Sequence, residues 1–155
     1  MVSLIDVFLW SLVPVSELRF AIPYGVGNNL PLLDVFLVAV AGNILVCPLV
    51  YLFLNTFHKL LVRFRHYHFL FHKYVDRSRH KIEKHIGTKY EFLFLVILVA
   101  IPLPLTGAYS GSILAWFFGL KKRKAFVAIT IGVIIAGVIT SLATAGVSSL
   151  MSLTQ

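Results

Sequence analysis

The stretch Ser16-Glu17-Leu18-Arg19-Phe20-Ala21-Ile22-Pro23-Tyr24-Gly25 places an acid and a base two residues apart inside a long apolar region, ahead of a proline and a glycine. A charged side chain at the centre of a bilayer costs about 2.5–3.5 kcal/mol on insertion scales. Proline and glycine there also leave backbone groups that lipid cannot satisfy. We therefore expect protein or a water-filled cavity to surround this stretch, and we interpret it as a functional site.

The composition is that of an integral membrane protein. Hydrophobic residues make up 59% of the chain and charged residues only 13%, against roughly 25% charged residues in a soluble domain. The length of 155 residues predicts a single membrane domain, residues 1–155. The one cysteine, Cys47, excludes an internal disulfide and is interpreted as a packing residue. No cofactor is predicted.

Two pairs of short apolar segments flank the breaks in the chain. Residues 2–13 and 24–30 form the first pair, and residues 92–101 and 112–119 form the second. Twelve helical residues rise about 18 Å, whereas the hydrocarbon core is about 30 Å thick, so no segment crosses alone. The first pair fits a re-entrant hairpin or one broken span. The residues predicted to break the helices are Pro14, Pro23, Gly25, Pro102, Pro104 and Gly111.

Residues 32–57 and 125–150 are each long enough for one spanning helix. Small residues let helices approach closely, so we predict that Gly42, Asn43 and Gly132 lie at helix–helix contacts. Asn43 also needs a buried polar partner. Two spans and two hairpins supply few helices to shield Glu17 and Arg19 from lipid, which favours a homodimer.

A basic linker, residues 58–89, separates the two halves and holds nine of the fourteen Lys and Arg residues. Its apolar residues recur every three or four positions, which predicts an amphipathic helix lying against anionic headgroups. The partners predicted for it are membrane lipids and not nucleic acid. His68 and His72 have the spacing of metal ligands, but no acid or cysteine joins them locally, so no metal site is predicted.

The basic residues also predict the orientation of the chain. Lys84 and Lys89 precede the second hairpin and the run 121–124 follows it, and such residues stay cytoplasmic. The second hairpin therefore enters and leaves the membrane from the cytoplasm. Of the fourteen basic residues, only Arg19 falls away from the predicted cytoplasmic face.

An internal repeat follows from comparing the two halves. A gap-free offset of 90 residues aligns Pro14 with Pro104, Ser16 with Thr106 and Gly42 with Gly132, in that order. Because the linker is cytoplasmic, the first span runs inward and the second outward, which gives opposite orientations and breaks that meet near the midplane. The predicted fold is an all-α integral membrane protein with an inverted-topology repeat of a re-entrant helical hairpin plus one spanning helix. Repeat one is 1–57, the amphipathic cytoplasmic linker helix is 58–89 and repeat two is 90–155, with both termini outside the cell (inner) membrane.

Three motifs resemble the putative small multidrug export protein family. They are Glu-Leu-Arg-Phe-Ala-Ile-Pro-Tyr-Gly at 17–25, Ala-Gly-Asn at 41–43 and Pro-Leu-Pro-Leu-Thr-Gly-Ala-Tyr-Ser-Gly at 102–111. Phe20 and Leu105 stand where the family pattern implies glycine. The family is in turn similar in layout to the DedA (VTT-domain) membrane proteins, and this resemblance implies two re-entrant hairpins and translocation of polyprenyl-phosphate carriers.

The residues at the breaks suggest an anion site. Freed amides and a helix N-terminus favour an anion, and a guanidinium suits phosphate. Glu17 is the candidate proton carrier, since burial favours its neutral form and Arg19 favours its charged form. The alternative is a purely structural Glu17–Arg19 pair. The predicted substrate-binding residues are Ser16, Arg19, Thr106, Gly107, Tyr109 and Ser110.

The leading functional prediction is a DedA-like transporter that moves an anionic amphiphile, such as a polyprenyl-phosphate lipid carrier, with protons. One alternative is a proton-coupled exporter of lipophilic cationic drugs, which Arg19 would oppose. Another is a non-transport membrane-assembly protein that acts through its basic linker. An enzyme is not expected, because the sequence shows no nucleophile–base pair and no phosphate-loop spacing.

Overall fold

The computed structural model describes residues 2–61, 89–102 and 106–153. The helices in these ranges are, in chain order, α1 (Leu4–Leu12), α2 (Glu17–Gly27), α3 (Leu32–Leu61), α4 (Lys89–Ala100), α5 (Ala108–Phe117) and α6 (Lys122–Leu153). The all-α class is therefore confirmed for the part of the chain that the structure describes. Nearly all of the basic linker lies outside it, so the amphipathic linker helix stays a prediction.

Two helices are long and apolar enough to cross a membrane. They are Leu32–Phe57 within α3 and Lys122–Leu150 within α6, and both coincide with the predicted spans. A helix of 26 residues rises about 39 Å, which covers a core of about 30 Å with some tilt. Large apolar side chains on the outer face of α6, among them Ile131, Ile135 and Leu142, are exposed. Such a surface fits lipid better than water.

The other four helices are short. They contain 9, 11, 12 and 10 residues in chain order, so each rises only about 14–18 Å and cannot cross a bilayer alone. α1 joins α2 through residues 13–16, and α4 joins α5 through residues 101–107. Each half therefore consists of two short helices and one long helix.

The breaks between the short helices span fewer residues than the sequence predicted. Pro23 and Gly25 lie inside α2, and Gly111 lies inside α5. Pro23 has no N–H for the carbonyl of Arg19, so α2 lacks that bond, yet the helix continues to Gly27. A side chain on Gly25 would lie 2.7 Å from Val35 of α3. This glycine thus permits close packing and does not interrupt the helix.

The turn that leads into each long helix is the same in both halves. The left-handed residue is Asn29 (φ 62°) in the first half and Gly119 (φ 70°), 90 positions later, in the second. The N–H of Asn29 donates to Val26 O at 2.9 Å, and that of Gly119 donates to Trp116 O at 3.0 Å. The next residue in each half donates to the carbonyl five positions before it, at 3.1 Å in the first half and 2.9 Å in the second. This is the Schellman motif, which satisfies the last carbonyls of a helix.

Helix packing follows the same repetition. α1 packs on α2 and α3 as α4 packs on α5 and α6, and the halves join through contacts of α3 with α5, α2 with α6 and α3 with α6. Gly42 of α3 lies against Ser11 of α1, and Gly132 of α6 lies against Val99 of α4. The two glycines, 90 positions apart, thus bring each long helix close to the first helix of its own half. The direction in which each half faces in a bilayer stays a prediction.

Candidate functional site

The break between α1 and α2 meets the break between α4 and α5 inside the protein. The Arg19 guanidinium of α2 donates to Thr106 in the second break, so the two halves of the chain are in contact at their breaks. The backbone on either side of Ser16 is left-handed, with φ 80° at Val15 and 47° at Glu17. Positive φ is rare at non-glycine residues and unfavourable at a β-branched one such as Val15, and such conformations cluster at functional sites.

The Glu17 carboxylate lies on the N-terminus of α5. The backbone N–H of Tyr109 donates to Glu17 Oε1 at 3.3 Å, and the Ala108 amide and the Asn43 side chain of α3 lie near the carboxylate. Glu17 is only 5% exposed. A helix N-terminus carries partial positive charge, so it stabilises this buried anion. The anion predicted for this helix end is therefore, in this state, the protein's own carboxylate.

Gly107 makes this contact possible. It immediately precedes α5, its φ is 155° and its ψ is −161°, and a Cβ built on it would overlap the Glu17 carboxyl group. That backbone region is essentially restricted to glycine. Only glycine therefore lets the carboxylate of one half approach the backbone of the other half this closely.

Arg19 binds the chain just beyond the C-terminus of α4, in the other half. Its Nη2 donates to Ile101 O and Thr106 Oγ1, each at 3.2 Å, and to Thr106 O. Thr106 Oγ1 itself donates to Ile101 O at 2.8 Å. Ile101 directly follows α4, whose C-terminus carries partial negative charge. Arg19 therefore stabilises a helix C-terminus, whereas Glu17 stabilises a helix N-terminus.

Tyr109 makes the reciprocal contact. It stands 90 positions after Arg19, and its hydroxyl donates to Leu12 O, at the end of α1, at 2.5 Å. Each half thus extends one side chain to the end of the first helix of the other half. Ser110 accepts a bond from the Gly107 N–H at 2.9 Å, which caps α5. These contacts hold the two breaks together.

A cavity of about 200 Å³ lies between the breaks. Charged, hydroxyl and apolar side chains all line it; the lining residues are Pro14, Val15, Glu17, Arg19, Thr106, Tyr109, Ser110 and Ile113. A second cavity of about 420 Å³ shares Arg19 and includes Ser16. Of the predicted substrate-binding residues, all but Gly107 therefore line one of these cavities.

An apolar groove lies beside the first cavity. It has a volume of about 690 Å³, is bounded by residues 49–57 of α3, and shares Tyr109 and Ile113 with the cavity. Arg19 and Glu17 thus line a cavity that lies beside an apolar groove. That arrangement has the shape and polarity of an amphiphile.

One feature that the sequence prediction missed is a polar face on α3. Four residues spaced by four positions form it, namely Asn43, Cys47, Tyr51 and Asn55. Cys47 lies near Ser112 of α5, and Asn55 Oδ1 accepts from Trp116 Nε1 at 2.9 Å. The i, i+4 spacing was the signal that could have revealed this face, because such residues share one side of a helix.

The remaining predicted residues lie elsewhere. Gly42 and Gly132 lie at helix–helix contacts, whereas Asn43 also reaches Glu17. Pro102 is exposed at the end of α4, and Pro104 is outside the described residues. No group of three or more metal-binding side chains occurs within 2–61, 89–102 and 106–153. His68 and His72 lie outside these ranges.

A family model described as putative small multi-drug export protein matches residues 17–139. The match includes Glu17 and Arg19, the break between α4 and α5, all of α3 and more than half of α6. The chain therefore belongs to this family of small membrane export proteins. No curated protein and no solved structure matches the chain significantly.

Proposed function

We propose that this protein is a membrane transporter that moves an amphiphilic anion, such as a polyprenyl-phosphate lipid carrier, together with a proton. Arg19 is the charge partner of the anionic headgroup, and Glu17 carries the proton. The apolar groove along α3 receives the hydrocarbon tail. The observation that carries the proposal is the Glu17 carboxylate bound at the N-terminus of α5, beside Arg19.

The proposed cycle keeps the site close to neutral. Without substrate, the Glu17 carboxylate balances the Arg19 guanidinium. When Glu17 takes up a proton, it loses its charge and its hold on the α5 amides, and a substrate anion replaces it beside Arg19. One proton thus accompanies one negative charge, which avoids an unpaired charge in a medium of low dielectric.

The repeated helices support an inverted-topology arrangement for this cycle. The proposed orientation has both termini outside, the linker and residues 121–124 cytoplasmic, and the breaks near the midplane. Cysteine-accessibility labelling in intact cells tests it, with Cys47→Ala as background. Labelling of Lys122→Cys only after the membrane is permeabilised supports the orientation, and labelling from outside contradicts it.

A second candidate function is proton-coupled export of lipophilic cations. The family description and the apolar groove favour it, and Glu17 would then exchange a proton for the cation. Arg19 opposes it, because its guanidinium lines the same cavity and repels a cation.

Proteoliposomes separate the two functions. A short-chain isoprenyl phosphate and tetraphenylphosphonium serve as the anionic and cationic probes, and a pH step provides the driving force. We expect the phosphate to move and the cation not to move. Glu17→Gln should bind the phosphate but lose the pH-driven movement, whereas Asp34→Asn, at an exposed acid, should behave like wild type.

The structural alternative, a Glu17–Arg19 staple, predicts a different pattern. Removing either residue leaves a buried charge without compensation, so both variants should lose stability together. A charge-swapped double variant that regains activity, while each single variant merely unfolds, would overturn the transport roles. Thermal melting in detergent beside the transport assay gives this comparison.

A further inference from the structure

Arg19 borders two cavities and not one. The second cavity, with a volume of about 420 Å³, is lined by residues of the first half, namely Pro14, Val15, Ser16, Arg19 and Phe20. Pro14, Val15 and Arg19 also line the first cavity, between the breaks. One guanidinium is therefore within reach of ligands in either space.

Three aromatic rings, which we call the aromatic cluster, adjoin the second cavity at Phe20. The centroid of the Phe20 ring lies 4.9 Å from that of Trp10 on α1 and 5.8 Å from that of Tyr24 on α2. The Trp10 and Tyr24 centroids are 5.9 Å apart. Trp10 and Phe20 are exposed, so the cluster presents an apolar surface next to a cavity that a guanidinium lines.

Packing of the short helices does not require the aromatic cluster. In the second half α4 also packs on α5, but the positions 90 residues after the cluster hold no aromatic residue; they are Ala100, Ser110 and Leu114. The aromatic cluster thus belongs only to the half that carries Glu17 and Arg19.

The charge and the rings together match an amphiphilic anion. A guanidinium suits the geometry of a phosphate, and aromatic side chains offer a large apolar area to a hydrocarbon chain. The Ser16 hydroxyl bonds Val13 O at 3.4 Å, which is long for such a bond, so it can turn to an anion at little cost. A lipophilic cation would gain from the rings but would meet Arg19 in the same cavity.

We propose that the second cavity is a separate binding site for the amphiphilic anion, in which the headgroup binds Arg19 and Ser16 and the start of the hydrocarbon chain lies on the aromatic cluster. This inference rests on the proposed function, since it concerns the same class of substrate. A transporter must receive its substrate in one place and release it from another. Because Arg19 borders both cavities, the headgroup passes from the second cavity to the first beside the same positive charge. An unpaired charge in a medium of low dielectric is thereby avoided.

The two tryptophans of the chain report on two different places. Trp10 belongs to the aromatic cluster, whereas the Trp116 indole bonds Asn55, in the segment of α3 that bounds the apolar groove. Trp116→Phe leaves Trp10 as the single fluorophore, and Trp10→Phe leaves Trp116. The probe is dodecyl phosphate with bromine on the chain near the phosphate, because bromine quenches a tryptophan that it contacts. Dodecanol with bromine at the same position is the control for partition between detergent and protein.

In Trp116→Phe the phosphate should quench Trp10 saturably, at a concentration about tenfold lower than the alcohol, as one charge-assisted hydrogen bond implies. Adding Arg19→Met should reduce the phosphate to the level of the alcohol. Adding Phe20→Ala, at an exposed position that should fold normally, should weaken half-saturation by the phosphate about tenfold, because the chain loses apolar contact. Leu9→Ala is the matched control and should change nothing, since Leu9 is an exposed neighbour of Trp10 that lines neither cavity.

Three results would overturn the second site. They are equal quenching of Trp10 by the phosphate and the alcohol, stronger quenching by a brominated dodecyl trimethylammonium cation, and saturable quenching of Trp116 by the phosphate without quenching of Trp10. In the last case the proposed function would stand. If the phosphate quenched neither tryptophan and isoprenyl phosphate did not move in proteoliposomes, the proposed function would fall together with the second site.

Discussion

The start of α2, directly after the first break, carries Glu17 and Arg19, whereas the corresponding positions at the start of α5 are Gly107 and Tyr109. The helices, the Schellman turns and the glycine contacts around these breaks repeat. The charges do not. The first half supplies an acid and a base, and the second supplies the glycine and the backbone ends that receive them. A duplicated scaffold thus becomes one asymmetric site.

The long helices differ in the same way. The polar face of α3 has no counterpart on α6, where the positions 90 residues later are Val133, Gly137, Ser141 and Ala145. Both helices pack in the same manner against the first helix of their half. Packing against the first helix therefore does not require polar residues on α3, and Asn55 of this face instead bonds Trp116 of α5.

The largest expected effect is at Gly107, the position that corresponds to Glu17. Gly107→Ala adds a Cβ that overlaps the Glu17 carboxyl group and strains the backbone, so the free energy of unfolding should fall by about 3 kcal/mol or more. Thermal melting in detergent measures it. Gly27→Ala, where a Cβ meets nothing within 4 Å, is the control and should change little. Full additivity of Gly107→Ala with Glu17→Ala would contradict the overlap, because contacting residues should couple.

Arg19 and Tyr109 allow a direct comparison of the two halves, because the side chain of each one bonds the other half. Arg19→Met removes charge-assisted bonds to the end of α4 and should cost about 2 kcal/mol. Tyr109→Phe removes one neutral bond to Leu12 and should cost about 1 kcal/mol. Only Arg19→Met should abolish binding of the isoprenyl phosphate. Equal loss of binding in both variants would show that binding depends on the contacts between the two halves and not on the charge of Arg19.

Gly42 and Gly132 should behave alike if the scaffold is truly repeated. A Cβ at Gly132 would lie 2.6 Å from Val99 Cβ, and one at Gly42 would meet the Ser11 hydroxyl. Each substitution by alanine should destabilise the protein by about 1–2 kcal/mol through overpacking. Gly146→Ala, with nothing within 4 Å, should be neutral in the same melting assay. A large effect at one glycine and none at the other would break the comparison.

The smallest expected effect is at the left-handed turns. Gly119→Ala places a Cβ at φ 70° and should cost about 1 kcal/mol, whereas Asn29→Gly should be neutral within about half of that. Thermal melting of both variants checks it. A destabilising Asn29→Gly would mean that the Asn29 side chain, and not its backbone conformation, maintains the first turn.

The sequence predicted the elements that depend on local pattern. Long apolar runs gave both spanning segments, and the offset of 90 residues aligned Pro14 with Pro104 and Gly42 with Gly132. The sequence prediction misplaced the ends of α2, because a proline or glycine looks the same in a sequence whether it interrupts a helix, as was predicted for Pro23 and Gly25, or lies within one. The contacts of Glu17 with the α5 amides and with Asn43 join distant segments, so no local pattern could reveal them.

Proton uptake on binding of the isoprenyl phosphate is the most direct test of the proposed exchange. In weakly buffered detergent solution, wild-type protein should take up about one proton per anion bound, because the anion replaces the Glu17 carboxylate at the N-terminus of α5. Glu17→Gln should bind the same probe without taking up a proton. Binding by the wild-type protein with no proton uptake would contradict the account.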